Sequence, residues 1–185
     1  TWDDMSLTLG QQMNPYQSSF ILWDGDLRPQ GLTAQYDQAG FFATAGYYVA
    51  FQAVSNAFGE QEDAAEMGAV QIGYQAEMEG MDAMIAAAYY HFDDQYTDDV
   101  VGVMGNDLTY QIGDLYGYIA GTIEDVGIKA YGEILQNFGS DEDAFAMGAD
   151  DEAMAWVLGL EASFAGLKLG YAYGVRELQS APVGL

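Results

Sequence analysis

Large apolar residues alternate with polar or small ones over long stretches of the chain. From Met67 to Met78, one parity carries Val70, Ile72, Tyr74, Ala76 and Met78, and the other carries Gln71, Gly73, Gln75 and Glu77. Near the end of the chain, Leu167, Leu169, Tyr171, Tyr173 and Val175 oppose Lys168, Gly170, Ala172, Gly174 and Arg176. Just before that, Met154, Trp156, Leu158, Leu160 and Ala162 oppose Ala155, Val157, Gly159, Glu161 and Ser163. A two-residue period is that of a strand whose two faces meet different surroundings. Residues 41–52 keep the period but carry aromatics on both faces. Followed along the chain, the pattern predicts about nine strands, near 5–12, 31–38, 41–52, 67–78, 83–93, 113–124, 128–138, 153–163 and 167–177.

The connections between these segments alternate in length. Short turns fall at Gln38-Ala39-Gly40, Glu79-Gly80-Met81-Asp82, Asp125-Val126-Gly127 and Phe164-Ala165-Gly166. Between them lie long polar connections at 13–30, 53–66, 94–112 and 139–152. Short turns on one side and long loops on the other are the plan of a transmembrane barrel. In a bilayer every backbone N–H and C=O must find a protein partner, so only helices and closed barrels cross it. Three other readings are weaker. A helical bundle suits the Ala, Glu and Met of residues 60–91, but Gly68, Gly73 and Gly80 recur there and the alternation of 67–78 is clean. A single helical span over 38–59 is uncharged but interrupted by Gly40, Gly46, Gln52, Ser55 and Asn56. A soluble β-sandwich accounts for the aromatics as core, but not for the asymmetry of the connections.

The expected fold is therefore all-β, an antiparallel up-and-down transmembrane β-barrel, with residues 1–185 in a single domain. Tyr36, Phe41, Phe51, Phe92, Phe138, Trp156 and Phe164 lie near strand ends, where interfacial girdles form. Nine is an odd number, whereas bacterial barrels are normally even. The chain closes on Pro182-Val183-Gly184-Leu185 without a terminal aromatic, and it opens on Thr1-Trp2-Asp3-Asp4 without the pattern of a signal peptide. The expectation is mature or trimmed sequence that is either part of a longer barrel or incomplete.

Composition sharpens this picture. The chain has 14 Tyr and 9 Phe among 23 Gly, a mixture that suits closely packed strands better than helices. Arg28, Lys129, Lys168 and Arg176 are the only cations against 29 acids, for a net charge of −25. Such a chain repels nucleic-acid phosphates. With no cysteine there are no disulfides and no thiolate chemistry.

The polar parity carries Glu77, Glu124, Glu133, Glu161, Lys129, Lys168 and Arg176, which are the expected pore-lining residues. Acids and bases on facing walls of a lumen set a field that selects solutes, and the excess of acid favours cations. Lys129 and Glu133 stand four residues apart on one face and could instead pair. Asp141 and Asp143, with Asp150 and Asp151, supply oxygen ligands suited to calcium, though not at EF-hand spacing. No other cofactor is indicated. His91, the only histidine, falls on the parity of Ile85, Ala87 and Tyr89 and reads as a packing or pore residue. No carboxylate pair stands out as catalytic, and no phosphate-binding loop is present, so no enzyme is expected.

Two segments carry a family resemblance. They are Met5-Ser-Leu-Thr-Leu-Gly-Gln-Gln-Met-Asn-Pro-Tyr16 and Leu22-Trp-Asp-Gly-Asp-Leu-Arg-Pro-Gln-Gly-Leu-Thr-Ala-Gln-Tyr36. They resemble the bacterial putative porin family, in which a strand ending Leu-Gly-Arg-Gln leads into a loop with Asn-Pro, and an Asp-x-Asp-Leu segment opens the next strand. Here Gln11 stands in place of that Arg, which removes one pore-lining cation. The resemblance implies passive passage of small solutes through a trimeric or monomeric barrel in the outer membrane, in contact with membrane lipid and lipopolysaccharide. A structural barrel or surface scaffold, whose acidic loops bind partners or ions, is the alternative.

Overall fold

The computed structural model of the chain describes residues 4–23, 28–49, 66–96, 107–140 and 153–176. The alternating segments form nine strands: β1 (Met5–Gln11), β2 (Gln30–Gln38), β3 (Phe41–Val49), β4 (Glu66–Met78), β5 (Met81–Tyr96), β6 (Asp107–Ile123), β7 (Val126–Ser140), β8 (Met154–Phe164) and β9 (Leu167–Arg176). They lie in one sheet in sequence order, each antiparallel to its neighbours. The fold is thus all-β and up-and-down, as expected. Among the described residues β1 and β9 do not pair, and the sheet is open. β5, β6 and β7 run further into the long connections than the alternation indicated. Register shifts at Phe92/Gln95 and Tyr110/Ile112 mark where the two-residue period breaks down.

Four two-residue turns join the hairpins: Ala39-Gly40, Glu79-Gly80, Glu124-Asp125 and Ala165-Gly166. In the first and last, both residues have positive φ (53° and 84°, 48° and 82°). This is the type I′ geometry whose twist matches that of paired strands. The third turn was expected at 125–127; it is formed instead by Glu124, with φ 56°, and Asp125.

Register fixes the two faces, because residues directly opposite one another share a side. One face is an apolar band open to the surroundings, with Leu9, Val70, Ile72, Ile85, Leu115, Ile119, Ile134, Leu158, Leu169 and Tyr171 all exposed. Along β5 this band runs from Met81 to Tyr89, about 27 Å at ~3.4 Å per residue. A strand tilt of about 40° reduces that to ~21 Å, close to the ≈25 Å apolar band of an outer-membrane barrel. Polar groups bound it at the long-loop edge, where Tyr47 donates to Glu66 and the Tyr89 hydroxyl donates to Gln111 at 3.1 Å. At the opposite edge Tyr36 packs on Phe41, ring centroids 6.1 Å apart, and its hydroxyl donates to Gln38 at 2.8 Å. Each of these phenols joins an apolar ring to a polar hydroxyl at an edge of the band. His91 lies at the long-loop end of this outer face, opposite Gly68 and Gln111.

The other face holds Thr33, Thr44, Gln71, Asp114, Glu133 and Asn137, all buried, with Tyr48, Tyr90 and Tyr116. Glycines there make room for aromatic rings. A Cβ at Gly73 would come within 2.2 Å of the Phe42 ring, and one at Gly159 within 2.1 Å of the Tyr131 ring. In each case the ring faces the glycine directly across the strand pair. This pairing gives a structural reason for a chain rich in both Gly and Tyr.

Candidate functional site

The first long connection does not stay outside the sheet. Leaving β1, Gln12 is fixed at both ends, its backbone N–H donating to Pro29 O at 3.1 Å and its side chain to Thr33 Oγ1. Asn14 Oδ1 accepts from the Tyr16 N–H at 3.0 Å, a local turn just before and after Pro15 that redirects the chain. Tyr16 then inserts over the polar face. Its hydroxyl lies 3.1 Å from that of Tyr48 and donates to Ala69 O at 3.3 Å, and Tyr48 in turn lies 2.7 Å from Thr33 Oγ1. Burial holds the Tyr16 phenol well above its ordinary pKa, and the bond to Tyr48 adds to this, so it stays neutral.

Further along, the buried Gln71 amide clasps one backbone unit, accepting from Gln17 N at 2.8 Å and donating to Gln17 O at 2.8 Å. Ser19 crosses to the far wall, where its N–H donates to Glu133 Oε2 at 3.0 Å and its hydroxyl donates to the same oxygen. Trp23 completes the insertion, stacked on Tyr16 at 6.4 Å and edge-on to Tyr90 at 5.3 Å. Tyr16, Trp23, Tyr48, Met67, Tyr90, Phe92, Ile112 and Leu135 form one buried cluster.

These contacts require a curved sheet. Gln71 is on β4 and Glu133 on β7, three strand spacings or about 14 Å apart in a flat sheet. Two residues of loop, from Gln17 to Ser19, advance at most ~7 Å. Two long side chains and a concave face close the difference. The loop therefore lies inside the concavity and narrows its long-loop end.

At the short-turn end the same face is open. A recess of about 590 Å³ is lined by Glu77, Asp82, Lys129, Glu161 and Lys168, together with Ala120, Thr122 and Ser163. Lys168 Nζ bonds Glu161 at 2.8 Å. Lys129 Nζ sits 4.3 Å from the Tyr118 ring centroid, a cation–π contact, so it does not pair with Glu133. Glu77 stands directly opposite Asp82, a like-charge pairing that is tolerable where water reaches both. Between the two ends lies a tier of Met84, Ala86 and Tyr116 packed with Phe42, Tyr118 and Tyr131.

The residues singled out from the sequence divide accordingly. Glu77, Lys129, Glu161 and Lys168 come together in the recess. Glu133 is on the same face but buried under the loop, 1% exposed and bound to Ser19. Glu124 must be corrected: it is the first residue of a tight turn, because the strand ends at Ile123, and it lies on no wall. Arg176 stands opposite Ala155 at the end of β9. Asp141, Asp143, Asp150 and Asp151 lie outside the described residues. The inserted loop was read only as a polar connection. The signal that could have found it is the apolar run Phe20-Ile21-Leu22-Trp23 inside that connection.

No curated protein and no solved structure gave a significant match. A family model described as putative porin matches residues 1–180. The whole of this sheet is covered by that match, and the chain belongs to the putative porin family.

Proposed function

We propose that the chain forms an outer-membrane channel through which small polar solutes and ions diffuse passively, with a mild preference for cations. The observation that supports this best is the opposite character of the two faces of one sheet. The outer face offers an apolar band to membrane lipid and lipopolysaccharide. The inner face ends in an open recess with three acids, Glu77, Asp82 and Glu161, against two bases, Lys129 and Lys168. Charged walls at close quarters select ions by sign, and here the acids are in excess. On this reading solutes enter past the inserted loop and leave through the recess, and no bond is made or broken.

The test is reconstitution in planar bilayers with a KCl gradient. Discrete conductance steps and a reversal potential displaced towards the potassium equilibrium value are expected. A displacement towards the chloride value removes the cation preference. The second reading, a structural barrel with a filled interior, is favoured by the loop and its aromatic cluster. It predicts stable insertion without conductance.

A further inference from the structure

One row of residues crosses five strands at the short-turn end of the concave face. Glu77 stands opposite Asp82, Asp82 opposite Ala120, Ala120 opposite Lys129, and Lys129 opposite Glu161. Residues directly opposite one another share a face. In this row β4 and β5 therefore bring two carboxylates, β6 only a methyl group, β7 an ammonium and β8 a third carboxylate.

These charges do not cancel within the row. Glu161 is taken from outside it, by Lys168 Nζ at 2.8 Å. Lys129 leans instead over β6, its Nζ 4.3 Å from the Tyr118 ring centroid and 5.9 Å from that of Tyr131. Among the described residues Glu77, Asp82 and Lys129 make no ion pair. Tyr118 is also close enough for Asp82 and Glu77 to act on it electrostatically. The backbones of Asp82 and Lys129 are two strand spacings apart, about 9–10 Å, and Ala120 puts no more than a methyl between them. All three unpaired groups line the recess of about 590 Å³, which is within the usual size range of small-molecule sites.

The recess thus has a negative wall at Glu77 and Asp82 and a positive one at Lys129. A simple cation is drawn to the first and repelled by the second, and a simple anion meets the reverse. An uncharged solute leaves both walls to water. A solute with an ammonium at one end and a carboxylate at the other satisfies both walls at once, with a charge-assisted hydrogen bond at each end. The Lys129 ammonium is already held over aromatic rings, so less ordering remains to be done when a carboxylate arrives.

We infer that the recess is a binding site for small zwitterions of the amino-acid and short-peptide class, with the ammonium on Glu77 and Asp82 and the carboxylate on Lys129. This rests on the channel reading, which supplies the solute's way in, and it names the solute class that such a channel favours. The Glu161–Lys168 pair borders the site and selects neither sign.

Glycylglycine is the probe, with its binding to the full protein in detergent micelles followed by saturation-transfer NMR. N-acetylglycylglycine lacks the ammonium and glycylglycinamide lacks the carboxylate. Each should bind the wild type about 10-fold or more weakly than glycylglycine, as expected for losing a hydrogen bond between charged groups. In Lys129→Met, glycylglycine and glycylglycinamide should bind alike, while N-acetylglycylglycine remains the weakest. In Asp82→Asn the penalty for N-acetylation should shrink. The comparison of the three probes on the wild type carries the test if the variants do not fold. Equal binding of all three, or no binding of glycylglycine, overturns the inference. Conductance in planar bilayers separates the two readings. A protein that conducts KCl but binds no glycylglycine loses the zwitterion site and keeps the channel. One that binds glycylglycine selectively without conducting keeps the site and loses the channel.

Discussion

The two ends of the concave face are made by the same strands with the same alternation, yet they have opposite interiors. At the long-loop end, Tyr16 and Trp23 seal Tyr90, Gln71 and Glu133 away from solvent. At the short-turn end, Glu77, Asp82, Lys129, Glu161 and Lys168 surround an open recess. The difference does not come from the strands. A two-residue turn such as Ala39-Gly40 has no chain to spare, whereas the connection after β1 is long enough to fold back and carries the apolar residues to hold it there. Alternation decides which side chains face inward; the length and content of the connections decide whether water reaches them.

The comparison can be broken most decisively at Tyr90. It is fully buried, with ring contacts to Tyr16 at 5.4 Å and Trp23 at 5.3 Å. Tyr90→Ala should cost about 3–5 kcal/mol, the usual range for losing a buried aromatic. The loop should then become sensitive to protease in detergent, and unchanged resistance would mean that the aromatic cluster does not hold it. Ser19→Ala comes next. It leaves Glu133 Oε2 with only the Ser19 N–H, and loss of a hydrogen bond to a charged group costs about 1.5–3 kcal/mol. A lower melting temperature with the barrel still folded is expected. At the open end the same type of change should barely register in stability. Lys168 is 65% exposed where it meets Glu161, and exposed pairs contribute about 0–1 kcal/mol. Lys168→Ala should leave the melting temperature nearly unchanged while moving the reversal potential further towards the potassium value. A large loss of stability there would show that the two ends are not built on different terms.

Much of the sheet was legible from its period. The segments at 67–78 and 167–177 became β4 and β9 almost residue for residue, and the inward parity of Glu77, Lys129, Glu161 and Lys168 followed directly. Position 124 was misplaced because parity alone does not show where a strand stops, and Glu124 occupies the left-handed conformation that begins the turn. The inserted loop could not be found by periodicity, since it has none. Its contacts are long-range, joining Ser19 to Glu133, and long side chains on a concave face bring those positions together. Tyr48 shares its parity with Phe42, Thr44 and Gly46, and Tyr90 with Met84, Ala86, Ala88 and Phe92, and the strand pattern alone gave neither a partner in the loop.

The measurement that bears most directly on a porin narrowed by its own inserted loop is single-channel conductance with and without that loop. Residues 14–22 would be replaced by a short Gly-Ser linker, leaving Gln12 and the β1–β2 ladder intact. The expected result is conductance in the wild type and a larger unitary step in the shortened protein. Equal steps would contradict the loop as the constriction, and silence in both proteins would contradict the channel.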